Sequence, residues 1–596
     1  VSYFKRIWSL FHDDPKDLTE QAMEKNSLNI LIGGEAGQGL VTLSQILTRA
    51  IVRAGYHIIV TQSYQSRIRG GHNSYTLRLC PDEIMAPREG LDIVVALNKE
   101  TVELHSPELK PHGIVVLDEA LDIKNADHIT VPFNSLTSDK FWNASAVGVV
   151  SGILGLDESV VVRTASDFFA KHAPDSTEEN IKSLVAGRNW MKGRATGFQE
   201  LKQPEPGNGR LMINGNEAIA LGALSAGMKA MCFYPMTPAT SIAITICEHA
   251  EKMGVIAEQA EDEISAINMA IGASFCGSPS LVPTSGGGFS LMAEGLSLAG
   301  MTETPVVIAL AQRPGPSTGL PTRTEQGDLE FALHAGHGEF PRAVFAPGSV
   351  DECFRLTRKA FEIADKFRIP TIIMTDQFLA DCYCASDPFT MDELDPINAC
   401  DPEVSPDEPF LSYRITGTGV SPRLFPGLSH ECVVAHSAHE LVIADSDEHT
   451  EKGHLTEDLS VRVRMVDKRN RKNDGLKRHI VDPTFCGNSD PDLLLVCWGS
   501  TRGAVHEACD ELREMGLRAA YVHFSQVWPI DEDSVAGILR AAKEIVSVES
   551  NSTAQFARLL RRETGYRIER NVLRYDGLPM TPEFIIEKIG LGSRNV

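Results

Sequence analysis

The sequence predicts an α/β chain of several domains, and three observations carry that prediction. Short apolar runs end in loops rich in Gly, Pro, Ser or Thr, and a helical repeat follows each, the order of a doubly wound sheet with parallel crossovers. The pattern restarts three times, near Asn29, near Leu211 and near Leu493. At 596 residues the chain is also longer than one hydrophobic core sustains.

Composition narrows the class. Hydrophobic residues make up 42% and charged residues 23%, ordinary for a globular enzyme. A formal net charge of -24 argues against nucleic acid as partner, because such binding needs basic surface to displace counterions. The 12 cysteines include no Cys-x-x-Cys, which suits a reducing, cytoplasmic setting. The same spacing speaks against a disulfide framework, a zinc site or a ferredoxin-type cluster in this chain. No apolar run approaches the roughly 20 residues of a membrane span, so no membrane contact is expected. Residues 1–27 hold Lys5 and Arg6 but no signal-peptide core and read as a peripheral arm.

The first domain, 28–200, opens with the strand Ile30 to Ile32 and the loop Gly33-Gly34-Glu35-Ala36-Gly37-Gln38-Gly39. Leu43, Ile46, Leu47, Ala50, Ile51 and Ala54 then recur at helical spacing and Gly55 closes the helix. The loop is not a dinucleotide fingerprint, since Thr42 stands where the third glycine belongs. Thr61 and Gln62 replace the ribose-binding acid at the end of the second strand. A glycine loop at a helix N-terminus can still hold a phosphate, and a plain tight turn explains it equally well. Arg67-Ile68-Arg69-Gly70-Gly71 is either a solvated turn or an anion contact.

Residues 201–210 read as a linker and 211–383 as a second α/β domain with strands at Ala230 to Phe233, Ser280 to Pro283 and Pro305 to Ala309, among others. Residues 384–485, rich in Pro, Asp and Ser, read as a connector wrapping the surface. It carries the charged run Asp467 to Lys472 and five histidines, His430, His436, His439, His449 and His454. None has metal-ligand spacing, so a solvated or structural role is the stronger reading. A third α/β domain fills 486–596.

Three polar loops of the second domain hold the chemistry. They are Tyr234-Pro235-Met236-Thr237-Pro238-Ala239, the acid run Glu258 to Glu263, and Arg313-Pro314-Gly315-Pro316-Ser317-Thr318-Gly319-Leu320-Pro321-Thr322. Loops at the strand ends of such sheets are where ligands bind. Acids in a first helical turn also favour the helix dipole with no catalytic role, and an arginine in a loop can serve a surface ion pair.

These loops, quoted in full, resemble those of the 2-oxoacid:ferredoxin oxidoreductases, thiamine-diphosphate enzymes. The domain order resembles the family's α subunit with a γ-type domain fused in front, and the 2-oxoglutarate enzymes are the nearest members. Met236 and Ala239 depart from the family's Tyr-Pro-Ile-Thr-Pro-Ser/Thr. The resemblance implies a γ-type α/β domain, a thiamine-pyrimidine-binding domain and a transketolase C-terminal-like domain. It implies that Glu263 activates the aminopyrimidine, with Glu261 its rival and Tyr234 and Pro235 beside the cofactor. Arg313, Thr237, Thr322, Ser317 and Thr318 would cradle the 2-oxoacid, with Arg313 and Thr237 also catalytic. Gly34, Gly37, Gly39 and Arg69 would contact coenzyme A.

The Gly-Asp-Gly that holds Mg²⁺ in thiamine enzymes is missing, as are cluster cysteines. The resemblance therefore implies a β subunit that brings the diphosphate, Mg²⁺ and a 4Fe-4S cluster, in an αβ or α2β2 assembly. The implied reaction is reversible, CoA-dependent oxidative decarboxylation with electrons passed to ferredoxin. Pyruvate or branched-chain 2-oxoacids as substrates, a flavin- or nicotinamide-linked enzyme, and a non-catalytic scaffold are the alternatives.

Overall fold

The computed structural model describes residues 27–35, 38–64, 71–123, 128–194, 204, 209–390, 411–423 and 443–590. Nearly all of the N-terminal arm, most of the linker, Gly37, Arg69, His430, His436 and His439 lie outside these residues.

The first strands are β1 (Leu28–Glu35), β2 (His57–Ser63), β3 (His72–Cys80), β4 (Leu91–Ala96), β5 (Leu109–Asp118), β6 (His128–Val131) and β7 (Leu211–Ile213). Next come β8 (Ala230–Phe233), β9 (Ile256–Gln259), β10 (Ser280–Thr284), β11 (Val306–Gln312), β12 (Ala343–Phe345), β13 (Pro370–Asp376) and β14 (Tyr383–Ser386). The last are β15 (Thr484–Cys486), β16 (Leu493–Trp498), β17 (Ala519–Phe524), β18 (Gln526–Trp528), β19 (Glu544–Glu549) and β20 (Arg570–Leu573).

They form three sheets. The first has the order β6-β5-β4-β1-β3-β2-β14-β7. It is mixed: β4 is parallel to β1 and β5, while β3 is antiparallel to β1 and β2. Strands β7 and β14, from the two ends of segment 211–386, complete its edge, with β14 antiparallel to both β2 and β7. The middle of that segment builds six strands of the second sheet, β18-β12-β13-β11-β10-β8-β9, and β18, from the last unit, adds its antiparallel edge. The third sheet runs β15-β17-β16-β19-β20 and is parallel except for β15. Strand β11, Val-Val-Ile-Ala-Leu-Ala-Gln, is buried throughout, as a parallel strand covered on both faces requires.

The units interlock. One apolar cluster runs from Ile308 and Leu310 of the second sheet to Val496, Trp498 and Phe524 of the third. Between the first and third, Arg78 Nη1 donates to both Glu507 carboxylate oxygens at 2.8 Å, and Met85 N and Ala86 N donate to Glu507 Oε1.

The connector departs from its expected irregular course. Leu459–Lys477 is a helix of 19 residues, capped by Asp458. Its charged run is not a solvated patch: Lys468 and Lys472 are 0% and 1% exposed and both pair with the buried carboxylate of Glu303. Arg469 is likewise buried and pairs with Glu448. His449 is buried against the Tyr413 ring, whereas His454 is exposed.

Candidate active site

The three loops converge at the strand ends of the second sheet. After β8 the chain turns through a cis Thr237–Pro238 bond. Asn216, wholly buried in the helix Gly215–Ser225, donates to Pro238 O at 2.8 Å and to Ser241 Oγ at 2.7 Å and so fixes this turn. After β11, Arg313 Nη1 donates to Thr237 O at 2.6 Å, which joins the first loop to the third.

After β9, Asp262 caps the helix Glu263–Phe275 by accepting from Ser265 N, and Glu263 is its first residue. Glu263 is 4% exposed, while Glu261 lies at the surface. Its Oε1 is sealed from solvent with no hydrogen-bond partner among the described residues. It faces the bare Cα of Gly288, where a methyl would fall 2.9 Å from it. A buried carboxylate oxygen left unpaired is costly, so the arrangement awaits a donor.

Other buried atoms on the segments that build these loops are orphaned too. Ser285 Oγ, Asn216 Oδ1, Arg313 Nε and Asp328 Oδ2 are all buried and unpartnered among the described residues. Asp328 Oδ2 sits against Gly286, 2.4 Å from where a methyl there would lie. Burial pushes the Asp328 carboxyl up to about 6 although Arg313 draws it down. Burial also lowers the Arg313 guanidinium, against the opposing pull of Asp328. Asn216, Ser285, Gly286, Gly288 and Asp328 are not among the site residues expected from the sequence. The Ser285-Gly286-Gly287-Gly288 run opening a helix after β10 is the signal that could have found the serine and the two glycines.

The remaining expected residues fall in several places. Tyr234 and Pro235 are exposed at the mouth of the first loop, and Ser317 and Thr318 are exposed on the third. Thr322 is buried and lines a separate cleft with Thr61, Gln62, Gln377, Asp381 and Gly577, where all three units meet. Gly34 and Gly39 belong to the first sheet. Gly39 has a φ of 79° and a methyl on it would fall 1.8 Å from Asn143 Nδ2, while Gln38 Oε1 accepts from Glu35 N. Those contacts are what a tight strand-to-helix turn needs.

Three family models cover the chain. Residues 221–468 match the thiamine-diphosphate-binding domain of pyruvate flavodoxin/ferredoxin oxidoreductases, residues 29–190 match pyruvate ferredoxin/flavodoxin oxidoreductase, and residues 487–585 match the transketolase C-terminal domain. The 2-oxoglutarate synthase subunit KorA of Methanocaldococcus jannaschii is 34% identical over 57% of this chain and 88% of its own. The chain belongs to the 2-oxoacid:ferredoxin oxidoreductase family. The 2-oxoacid:ferredoxin oxidoreductase subunit alpha of a Sulfolobus species is 28% identical over 94% of this chain and 96% of its own. A solved 2-oxoglutarate:ferredoxin oxidoreductase from Magnetococcus marinus, with 2-oxoglutarate, coenzyme A and succinyl-CoA bound, superposes with a TM-score of 0.88. It is 28% identical, over 95% of this chain and 99% of that one.

This 2-oxoacid:ferredoxin oxidoreductase chain thus has the α-subunit architecture that its motifs implied, with a thiamine-diphosphate-binding domain between a domain matching the pyruvate ferredoxin/flavodoxin oxidoreductase model and a transketolase C-terminal domain. The residues present fit the aminopyrimidine of that cofactor: a sealed, unpartnered Glu263 oxygen, set in place against Gly288, is a buried hydrogen-bonding group for a ring nitrogen. Among the described residues no helix is long and apolar enough to cross a membrane, and no group of three or more His, Cys, Asp or Glu could hold a metal ion.

Proposed function

We propose that this chain is the α subunit of a 2-oxoglutarate:ferredoxin oxidoreductase, converting 2-oxoglutarate and CoA to succinyl-CoA and CO₂ while two electrons pass to ferredoxin. The observation that carries the reading is the sealed Glu263 oxygen beside Gly288. The substrate assignment is supported by the ligands bound in the Magnetococcus relative and by the name of the Methanocaldococcus one.

The chemistry that thiamine diphosphate supplies when bound is a nucleophilic carbon and an electron sink for decarboxylation. Glu263 would hydrogen-bond to a nitrogen of the aminopyrimidine, and its burial would keep competing water from that bond. Arg313, fixed through Nη1 on Thr237 O, offers its remaining guanidinium edge to the substrate carboxylate. Thr237, Ser317 and Thr318 offer hydroxyls around it, and Thr322 supports the loop from the cleft below. Tyr234 and Pro235 border the cofactor. Gly34, Gly37, Gly39 and Arg69 remain the candidate CoA contacts, in a unit whose Thr61 and Gln62 share the Thr322 cleft.

A partner β subunit is proposed to bring Mg²⁺, the diphosphate site and a 4Fe-4S cluster, in the cytoplasm and in an αβ or α2β2 assembly. Its support is a set of exposed apolar side chains on the edge strand of the second sheet and on the helices and loop that build the site. Ile256 on β9 is 70% exposed, and Ile264, Met269, Leu291 and Leu320 are exposed nearby.

The test is CoA-dependent reduction of a viologen dye by the anaerobically purified complex, with 2-oxoglutarate, pyruvate and 2-oxoisovalerate in parallel. A rate with 2-oxoglutarate that vanishes in Glu263→Ala upholds the reading. A preference for another 2-oxoacid reassigns the substrate, and no rate with any of them sinks the proposal.

A further inference from the structure

Asp328 stands at the far end of the loop that Arg313 begins, immediately before the helix Leu329–His334. The two ends are tied together. Gln312 Oε1 accepts from Asp328 N at 3.0 Å, and Gln312 Nε2 donates to Thr375 O at 3.0 Å. The Asp328 backbone is therefore set by the residue that precedes Arg313.

The side chains are not so satisfied. Asp328 Oδ2 is sealed against Gly286, and Arg313 Nε is sealed as well, each unpartnered among the described residues. The two charges feel each other without closing an ion pair. Each of these half-buried groups keeps a sealed polar atom that a third polar group could satisfy. The other carboxylates near Asp328 are Glu325, which burial and Asp328 both raise, and Glu263 beyond the Gly286–Gly288 turn.

A substrate carboxylate entering beside Arg313 adds a second negative charge to this space. Two carboxylates facing one guanidinium in a dry site do not both stay ionised. We propose that the 2-oxoacid carboxylate binds between Arg313 and Asp328 and that Asp328 takes up one proton from solvent as it does. One negative charge then faces Arg313 in both the empty and the filled site, and the neutral Asp328 can donate a hydrogen bond to the ligand. Asp328 is a proton acceptor for binding, distinct from Glu263 and its task. The inference rests on Arg313 as the carboxylate receptor of the proposed function.

In the empty site the Asp328 carboxyl, raised by burial to about 6, is ionised at pH 7.5, so uptake is observable there. The probe is 2-hydroxyglutarate, which has the carboxylates of 2-oxoglutarate and no ketone to decarboxylate. Calorimetric titration of the holo complex in phosphate and in Tris at pH 7.5 counts the protons from the difference in buffer heat. The expected result is close to one proton taken up per site, with affinity falling roughly tenfold per pH unit between pH 7 and 8. In Asp328→Asn the uptake disappears and the affinity loses that slope. Glu325→Gln keeps both. Gly286→Ala, whose methyl displaces the Asp328 carboxylate, weakens the coupling with Asp328 still present.

No uptake in the wild type, uptake that persists in Asp328→Asn, or failure of 2-hydroxyglutarate to bind each overturns the proposal. Turnover of a 2-oxoacid without proton uptake on binding removes the coupling and leaves the activity standing. Absence of turnover removes the activity, while uptake on binding would still establish the carboxylate site.

Discussion

Glu263 and Gly288 come together across the junction of two helices. A Cβ on Gly288 would lie 2.9 Å from Glu263 Oε1 and 2.3 Å from Thr284 Oγ1. Gly288 therefore sets where the Glu263 carboxylate can sit. Gly288→Ala is expected to push that carboxylate aside and to lower 2-oxoacid-dependent dye reduction by roughly 100-fold, the scale of a lost general acid–base contact. Circular dichroism should stay unchanged, because alanine favours the helix in which the residue stands.

The neighbouring acids separate by burial. Glu261 is exposed and Glu263 is 4% exposed, so only the second can meet a cofactor in a dry setting. Glu261→Gln is expected to keep activity within about twofold of wild type, whereas Glu263→Gln loses about 100-fold or more. Equal losses in steady-state rate would contradict the assignment.

Glu303 sits between Lys468 and Lys472 with all three side chains nearly inaccessible. Glu303→Gln leaves two buried ammonium groups without a counter-charge and should cost about 3–5 kcal/mol in denaturant unfolding. Replacing all three residues with apolar side chains of similar volume should recover most of that loss, since burying the charges already carries a desolvation penalty.

Asp381 gives a pH-dependent stability effect. Burial raises its carboxyl to about 6, opposed by hydrogen bonds from Gln377 and Tyr64. The native state holds this proton more tightly than the unfolded chain. The resulting stability is fully present below the ordinary carboxylate value and is lost as pH rises through about 6. Asp381→Asn keeps the acceptor for Tyr64 and Gln377 and has no charge to bury. It should be more stable than wild type at pH 8, by up to about 3 kcal/mol, and indistinguishable from it below pH 4. Thermal melts across that range measure the difference.

The second sheet and its three loops were legible because each apolar strand ends in a loop of distinctive residues. Arg313 at the end of β11 drew notice on that ground, whereas only the family resemblance singled out Glu263 from Glu261 and the other acids of its run. The helix Leu459–Lys477 was hidden because its buried face is built from Lys468, Arg469 and Lys472, whose partners Glu303 and Glu448 are distant or inconspicuous in sequence. Hydrophobic periodicity cannot report a face that is buried by ion pairing. Asp328 was hidden for a related reason. One acid in Glu325-Gln326-Gly327-Asp328 carries no pattern, and its meaning arises from Gly286 and Arg313 packing around it. The pairing of β14 with β2 and β7 was equally out of reach, since it links strands on opposite sides of the second unit.

That last pairing bears on how the protein is made. Strand β2 waits for β14, and the Tyr64–Asp381 hydrogen bond beside it joins residues 317 positions apart. While the ribosome is still adding the second unit, β2 offers an open row of backbone donors and acceptors to any extended chain nearby. Chaperone dependence and loss to inclusion bodies should therefore follow the rate of translation between the two strands, a property of the message rather than of the finished enzyme.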